Sequence, residues 1–351
     1  MIHRFLDDKI QQWAEQYPVI TITGPRQSGK TTLSKAVFPD KPYVSLEDFD
    51  HRDFARRDPR GFLTRHPEGM IIDEIQNAPE LVSYIQTDVD SVEQPGRFIL
   101  TGSRQFEMMT SVSQSLAGRT AIARLMPFSL GELFHTRSER SLDEILFTGF
   151  YPRIHDRNLA PSEALSFYVS TYLERDVRQL LNVKDLSRFE AFLKLCAGRT
   201  GQLVNHQSLA NDTGVGANTI KNWLSVLEAS GIILLLPPWF ANIGKRLVKS
   251  PKLIFLDSGL VCFLLGLRCP EHLRSHPLRG QIFESFVIAD ALKQRYHCGL
   301  DALFYFYRDN NGCEVDLVHE RGPTLEATEI KAAMTVSKEF FKNLKKLAKY
   351  T

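Results

Sequence analysis

The sequence has no run of apolar residues long enough to cross a bilayer. Its most apolar stretches, "GIILLLPPWF" and "KLIFLDSGLVCFLLGL", are short or broken by Asp257 and Ser258, where roughly 20 uninterrupted residues are needed. It is poor in cysteine: the five present (Cys196, Cys262, Cys269, Cys298, Cys313) are odd in number and form no tight doublet of the zinc-binding kind, so reduced structural thiols are expected. Strong charge of one sign is missing as well. Lys and Arg number 43 against 41 Asp and Glu, a net of +2, so any basic surface for nucleic acid has to be local. There is no internal repeat and no low-complexity tract. The opening "MIHRFLDDKIQQW" carries Asp7 and Asp8 where a secretory signal needs an apolar core, which favours a cytoplasmic protein without membrane contact. At 351 residues, 43% of them apolar and 24% charged, the chain is ordinary globular material, too long for one core.

What is present begins with Ile2, Leu6, Ile10, Trp13 and Tyr17, whose steps of three and four predict an amphipathic helix stopped near Pro18. Five runs suited to strands follow: "VITIT" (19–23), "YVSL" (43–46), "MIID" (70–73), "RFILT" (97–101) and "TAIARL" (120–125). Helix-length segments separate them, so a parallel sheet covered on both faces is expected, closing near Phe134. The pattern from Leu142 to Leu181 is helical. Residues 187 to about 255 read as helix, short helix, turn, helix and a β-hairpin made of "IILLLPP" and "KLIFLD", the order of a winged helix-turn-helix. Beyond Gly280 the order is helix, three strands and a last helix rich in lysine (Lys338, Lys342, Lys345, Lys346, Lys349), with Phe341, Leu344 and Leu347 on its other side.

"GPRQSGKT" fits G-x-x-x-x-G-K-[ST] between a strand and a helix, the context in which this pattern holds phosphates. Gly24, Pro25, Arg26, Gln27, Ser28, Gly29, Lys30, Thr31 and Thr32 form the candidate ATP loop. Its glycines let backbone N–H groups wrap the phosphates at a helix N-terminus. Lys30 can reach the β- and γ-phosphates, and the Thr31 hydroxyl is placed to ligate Mg²⁺. The apolar strand "GMIIDEIQ" ends in Asp73, a second Mg²⁺ contact, and Glu74, which can orient or deprotonate water. A polar side chain ends a further strand in "FILTGS", Thr101 or Ser103, where it can bond the γ-phosphate or the water. A strand lying between the loop strand and the acidic strand implies the additional-strand order 5-1-4-3-2.

"TGPRQSGKTTL", "IIDEIQNAPEL", "FILTGSRQF", "SLAGR" and "YLERDV", in this order, resemble a prokaryotic group of AAA-type, STAND-like P-loop ATPases. In that group the ATPase is joined to a winged helix and a C-terminal restriction-endonuclease-like domain of unknown function. The resemblance implies four segments: ATPase domain 1–138, helical linker or lid 139–184, winged helix 185–268 and nuclease-like domain 269–351, the last short for the family because the chain stops at Thr351. It also marks Arg119 and Arg175-Asp176, each arginine being either a γ-phosphate-sensing cation or half of a surface or interdomain ion pair. "TGFYPR" departs from the group, which tends to carry two adjacent glycines there.

In the winged helix, Asn218, Lys221 and Asn222 can face a major groove and Lys245, Arg246, Lys249 and Lys252 can contact phosphates. A role in transmitting movement or binding a protein fits equally well. In "CEVDLVHERGPTLEATEIKAA", Glu314 and Asp316 share a strand face. A neighbouring strand would bring Glu329 and Lys331 to Asp316, with Glu284 on the preceding helix completing the group. That is the metal arrangement of nucleases, in which acids hold Mg²⁺ and a lysine helps activate water. The plainer alternative is a solvated face of acid–lysine pairs. Three functions follow from these residues: ATP hydrolysis that rearranges the later domains, ATP-gated DNA cleavage at Asp316, Glu329 and Lys331, and a non-hydrolysing ATP switch that binds a partner.

Overall fold

The computed structural model describes residues 2–92, 94–102, 115–134, 139–173, 177, 186–240, 250–309, 312–333 and 335–349. The chain forms two compact units. One is Met1–Leu133 with Lys293–Leu300, the other Phe134–Leu292 with Asp301–Thr351.

In the first unit five strands, β1 (Val19–Thr23), β2 (Tyr43–Ser45), β3 (Met70–Asp73), β4 (Phe98–Gly102) and β5 (Thr120–Arg124), pair in the order β2-β3-β4-β1-β5, all parallel. The order expected from the sequence is therefore found. Alternation explains why both faces are covered, since successive side chains point to opposite sides of a strand. Val19, Met70, Ile72, Phe98 and Leu100 pack with Leu81, Val82, Ile85 and Val89 of the helix Leu81–Ser91. Ile20, Ile22, Ile71 and Ile99 pack on the other face with Leu6, Ile10 and Leu33. The first helix runs only Asp7–Ala14, so Arg4 and Leu6 precede it.

In the second unit the single glycine of "TGFYPR" suffices for a tight crossing. Gly149 has φ +69, and a Cβ there would stand 2.5 Å from Asp257 Oδ1. Asp257 accepts the Phe150 N–H at 2.7 Å and caps the helix Ser258–Leu264 through the Leu260 N–H at 2.9 Å. Helix Leu186–Ala197, strand β6 (Gln202–Leu203), helices His206–Thr213 and Ala217–Ala229, then β7 (Ile233–Leu236) and β8 (Lys252–Phe255) follow. The sheet order is β6-β8-β7, antiparallel. Phe189 and Phe192 meet Trp223 at ring separations of 5.1 and 5.2 Å, which ties the first helix to the third.

Helix Arg279–His297 leads to the antiparallel strands β9 (Phe304–Arg308), β10 (Glu314–Arg321) and β11 (Thr324–Thr328), in the order β11-β10-β9. The register against β9 slips by one residue between Val315 and Val318, a bulge at Asp316 and Leu317. β11 ends at Thr328, so Glu329 and Lys331 lie past the strand that was expected to carry them. The last helix is shorter than its lysine pattern suggests, a 3₁₀ turn Lys338–Phe341 followed by Lys342–Leu347.

Candidate functional site

The loop between β1 and the helix Lys30–Val37 owes its shape to two glycines. Gly24 has φ +148, and a Cβ there would lie 2.0 Å from the Leu125 carbonyl oxygen. Gly29, at φ +95, caps the helix in the left-handed region, where a side chain is strained. Lys30 is buried and its ammonium turns back on the loop, donating to the Gly24 and Pro25 carbonyls at 3.0 and 2.8 Å. The Ser28 hydroxyl is fully buried without a hydrogen-bond partner, an oxygen in the heart of the loop with bonding capacity to spare.

Three hydroxyls converge on the buried carboxylate of Asp73. Thr31 donates to Oδ2 at 3.0 Å, Tyr43 to the same oxygen at 2.7 Å, and Thr101 to Oδ1. Register accounts for the last contact: Ile72 pairs with Leu100, so Asp73 at the end of β3 lies beside Thr101, one residue from the end of β4. Burial and the Asp73 carboxylate push the Tyr43 phenol above its ordinary range, so it stays a donor, and the Lys35 ammonium lies 3.4 Å from its ring centroid. Glu74 sits in the left-handed region at φ +57 and accepts from the Gln76 side chain. A non-glycine residue held there is strained by about 1–3 kcal/mol, a pattern concentrated at functional sites. Hydroxyl and carboxylate oxygens are the donors Mg²⁺ takes, so Thr31 with Asp73 fits that ion, and the amide-lined loop fits a triphosphate.

The sequence carries no mark of the loop's brace, Arg4. Its guanidinium donates to the Ser28 carbonyl at 2.9 Å, the Met126 carbonyl at 2.6 Å and Glu132 Oε1 at 2.9 Å. His297 completes the cluster. Its Nε2 accepts the Met126 N–H at 3.3 Å, so the ring proton is on Nδ1, which faces Glu132 Oε2 at 3.1 Å. Burial holds His297 below its ordinary value, hence neutral. Burial would raise Glu132, but the His297 ring, Arg4 and the Ser129 N–H overcome it and hold the carboxyl well down.

Arg119 is not brought to the loop. It precedes β5, at the sheet edge opposite to Gly24, and pairs twice with Asp90, at 2.5 and 2.9 Å. Of the two roles open to it, γ-phosphate-sensing cation or half of an ion pair, the ion pair is the one found, and parallel strands put the nucleotide side at their other ends. Ser103, Arg175 and Asp176 lie outside the described residues, as do Lys245, Arg246 and Lys249. Asn218, Lys221 and Asn222 are exposed on one helix. Lys252 is corrected: it is 2% exposed and can touch no phosphate backbone.

Lys252 lies instead in the acid cluster of the second unit. Its ammonium stands 2.9 Å from Glu284, 2.5 Å from Glu314 and 3.9 Å from Asp316. Asp316 turns its other oxygen to the Ile330 N–H at 2.7 Å and to Lys331 at 3.6 Å, while Lys331 pairs with Glu329 at 2.8 Å. Asp316, Glu329 and Lys331 are thus brought together and Glu284 joins through Lys252. The trio Glu284, Asp316 and Glu329 does not enclose an open ion position, because two ammonium groups stand among the acids. Among the described residues no group of three His, Cys, Asp or Glu is poised to hold a metal.

Residues 16–134 match the AAA domain family, 139–271 a domain of unknown function (DUF8612) and 279–351 another (DUF4143). With the parallel sheet and its loop, the first unit is a P-loop ATPase fold of the AAA type. Over 332 residues the chain is 32% identical to uncharacterized protein Mb2031c of Mycobacterium bovis, spanning 94% of this chain and 74% of that protein; the same figures hold for uncharacterized protein Rv2008c of Mycobacterium tuberculosis. The chain belongs to the family of these two mycobacterial proteins. Among solved structures, the Walker-type ATPase PABY2304 of Pyrococcus abyssi gives a TM-score of 0.49 at 16% identity, over 74% of this chain and 94% of that one. The STAND protein PH0952 of Pyrococcus horikoshii, with a tetratricopeptide repeat sensor, gives 0.25 at 13% identity, over 82% and 48%. Likenesses this loose carry no site and no activity across. No described helix is long and apolar enough to cross a membrane.

Proposed function

We propose that the protein binds ATP with Mg²⁺ in the loop Gly24–Thr31 and hydrolyses it, using the change to rearrange its later domains. The observation that carries this reading is the Thr31 hydroxyl at 3.0 Å from the Asp73 carboxylate, beside a loop whose lysine is buried against its own carbonyls. Mg²⁺ held at Thr31 and Asp73 would neutralise phosphate charge. The chain's residues do the rest. Lys30 exchanges its bonds to Gly24 and Pro25 for phosphate oxygens. Thr101 holds the Asp73 carboxylate in place while Tyr43 occupies one of its lone pairs, and Glu74 takes the proton of the attacking water. Arg4 keeps the loop backbone fixed through Ser28.

Phosphate release by wild type and Glu74→Gln tests the assignment. Turnover is expected to fall by about 100-fold or more, the usual contribution of a general base, with ATP binding retained. Equal rates would refute the role of Glu74, and binding without multiple turnovers by wild type would favour an ATP switch instead.

The convergence of Asp316, Glu329 and Lys331 favours a second reading, metal-dependent phosphodiester cleavage gated by ATP, with the winged-helix order of residues 186–255 offering Asn218, Lys221 and Asn222 to DNA. Incubating plasmid and linear DNA with Mg²⁺ or Mn²⁺, with and without ATP, tests it. Cleavage lost in Asp316→Asn supports it, and intact DNA throughout removes it.

A further inference from the structure

Among the described residues the acid cluster has more carboxyl groups than cations. Glu284, Glu314, Asp316 and Glu329 face Lys252, Lys331 and Arg308, the last 3.7 Å from Glu314. Withdrawing Lys252 would leave four carboxyl groups facing two cations among the described residues, a surplus suited to a divalent cation. Bonding capacity is also in surplus: the Glu329 side chain is 8% exposed, and its Oε2 is buried with no hydrogen-bond partner.

Stability does not account for the lysine. Its charge is taken out of water almost completely, and a buried ion pair gains little over well-packed apolar side chains. Lys252 opens β8, whose backbone pairs with Leu203 on one side and Leu236 on the other. Every residue of β8 is buried, so a lysine there can only send its charge inward. The Phe306 ring flanks the ammonium, its centroid 5.5 Å away.

We propose that Glu284, Glu314 and Asp316 form a divalent-cation pocket whose built-in occupant is the Lys252 ammonium, which bars metal until it is withdrawn. This rests on reading the cluster as a metal site, not on DNA being cut. The ammonium stands within ion-pair distance of all three carboxyl groups, at 2.9, 2.5 and 3.9 Å, so the occupant is a cation.

The test is Mn²⁺ uptake by the nucleotide-free full chain, followed by the electron paramagnetic resonance of free Mn²⁺. Lys252→Met should bind one Mn²⁺ that the added change Asp316→Asn abolishes, at least about tenfold tighter than any Asp316-dependent uptake by wild type. Lys252→Arg, which keeps the charge, should behave as wild type. Should the methionine variant not fold, Lys252→Gln makes the same comparison. Wild type or Lys252→Arg binding as tightly as Lys252→Met would overturn the lysine's role and leave the metal reading standing. No Asp316-dependent uptake in any chain would overturn both.

Discussion

Two buried lysines do opposite things in this protein. Lys30 lies against neutral acceptors, two carbonyls of its own loop, at 3.0 and 2.8 Å. Lys252 lies against three carboxylates. The first is buried against carbonyl oxygens of its own loop, acceptors that the oxygens of an anion can replace. The second has counter-charges in excess and holds them closed. A hydrogen bond to a charged group is worth about 1.5–3 kcal/mol, so Lys30 stands to gain from a phosphate, whereas Lys252 can only be displaced. Burial alone would not separate them; the charge of the partners does.

That contrast makes its largest demand on Lys30→Ala. Losing two charge-assisted bonds to phosphate should weaken ATP binding by at least about a hundredfold, read by calorimetry with Mg²⁺ present. Lys252→Met should leave ATP binding unchanged. If both variants lost ATP equally, the two lysines would not differ as their surroundings say.

Legibility follows the same line. The phosphate loop is written in eight contiguous residues whose glycines stand where positive φ is needed, and the sheet order follows from apolar runs that end in Thr23, Asp73 and Thr101. Arg119 keeps two readings in the sequence because "SLAGR" names a residue type and not an end of the sheet; one residue before β5, it stands at the end away from Gly24. Lys252 was misleading because "VKSPKLIFLD" reads as a basic wing, while the strand it opens is buried throughout. Arg4, Glu132 and His297 could not be found at all. They meet across 128 residues and more of chain, and no local pattern marks them. Tyr43 left a fainter signal, a phenol opening the strand beside the acidic one.

The cluster of Arg4, Glu132 and His297 sharpens the comparison, being buried like Lys252 but pairing one guanidinium directly with one carboxylate beside a neutral ring. It should show in pH and not in metal. His297 is held below its ordinary value of 6.5, so between that value and its folded one the unfolded chain binds the proton and the folded chain does not. Stability therefore falls as the pH drops below about 6.5. Glu132, held down, contributes stability above its unfolded value near 4.5 that is lost at still lower pH. Urea unfolding from pH 7 to 5 should show the fall, and His297→Gln, which keeps an acceptor for Met126 but does not titrate, should flatten it. An unchanged slope in that variant would place the acid sensitivity elsewhere.

The smallest effect belongs to Tyr43→Phe. Tyr43 competes for Asp73 as Lys252 competes for Glu284, Glu314 and Asp316, but with a neutral hydroxyl at 2.7 Å in place of a charge. Removing it costs one hydrogen bond, about 1 kcal/mol of stability, and frees one lone pair of a carboxylate that Thr31 and Thr101 still hold. Mg²⁺-dependent ATP binding should therefore tighten by no more than about fivefold, measured beside the Mn²⁺ uptake of Lys252→Met. A larger gain from the phenol than from the ammonium would break the comparison, because neutral and charged occupants would then bar a cation alike.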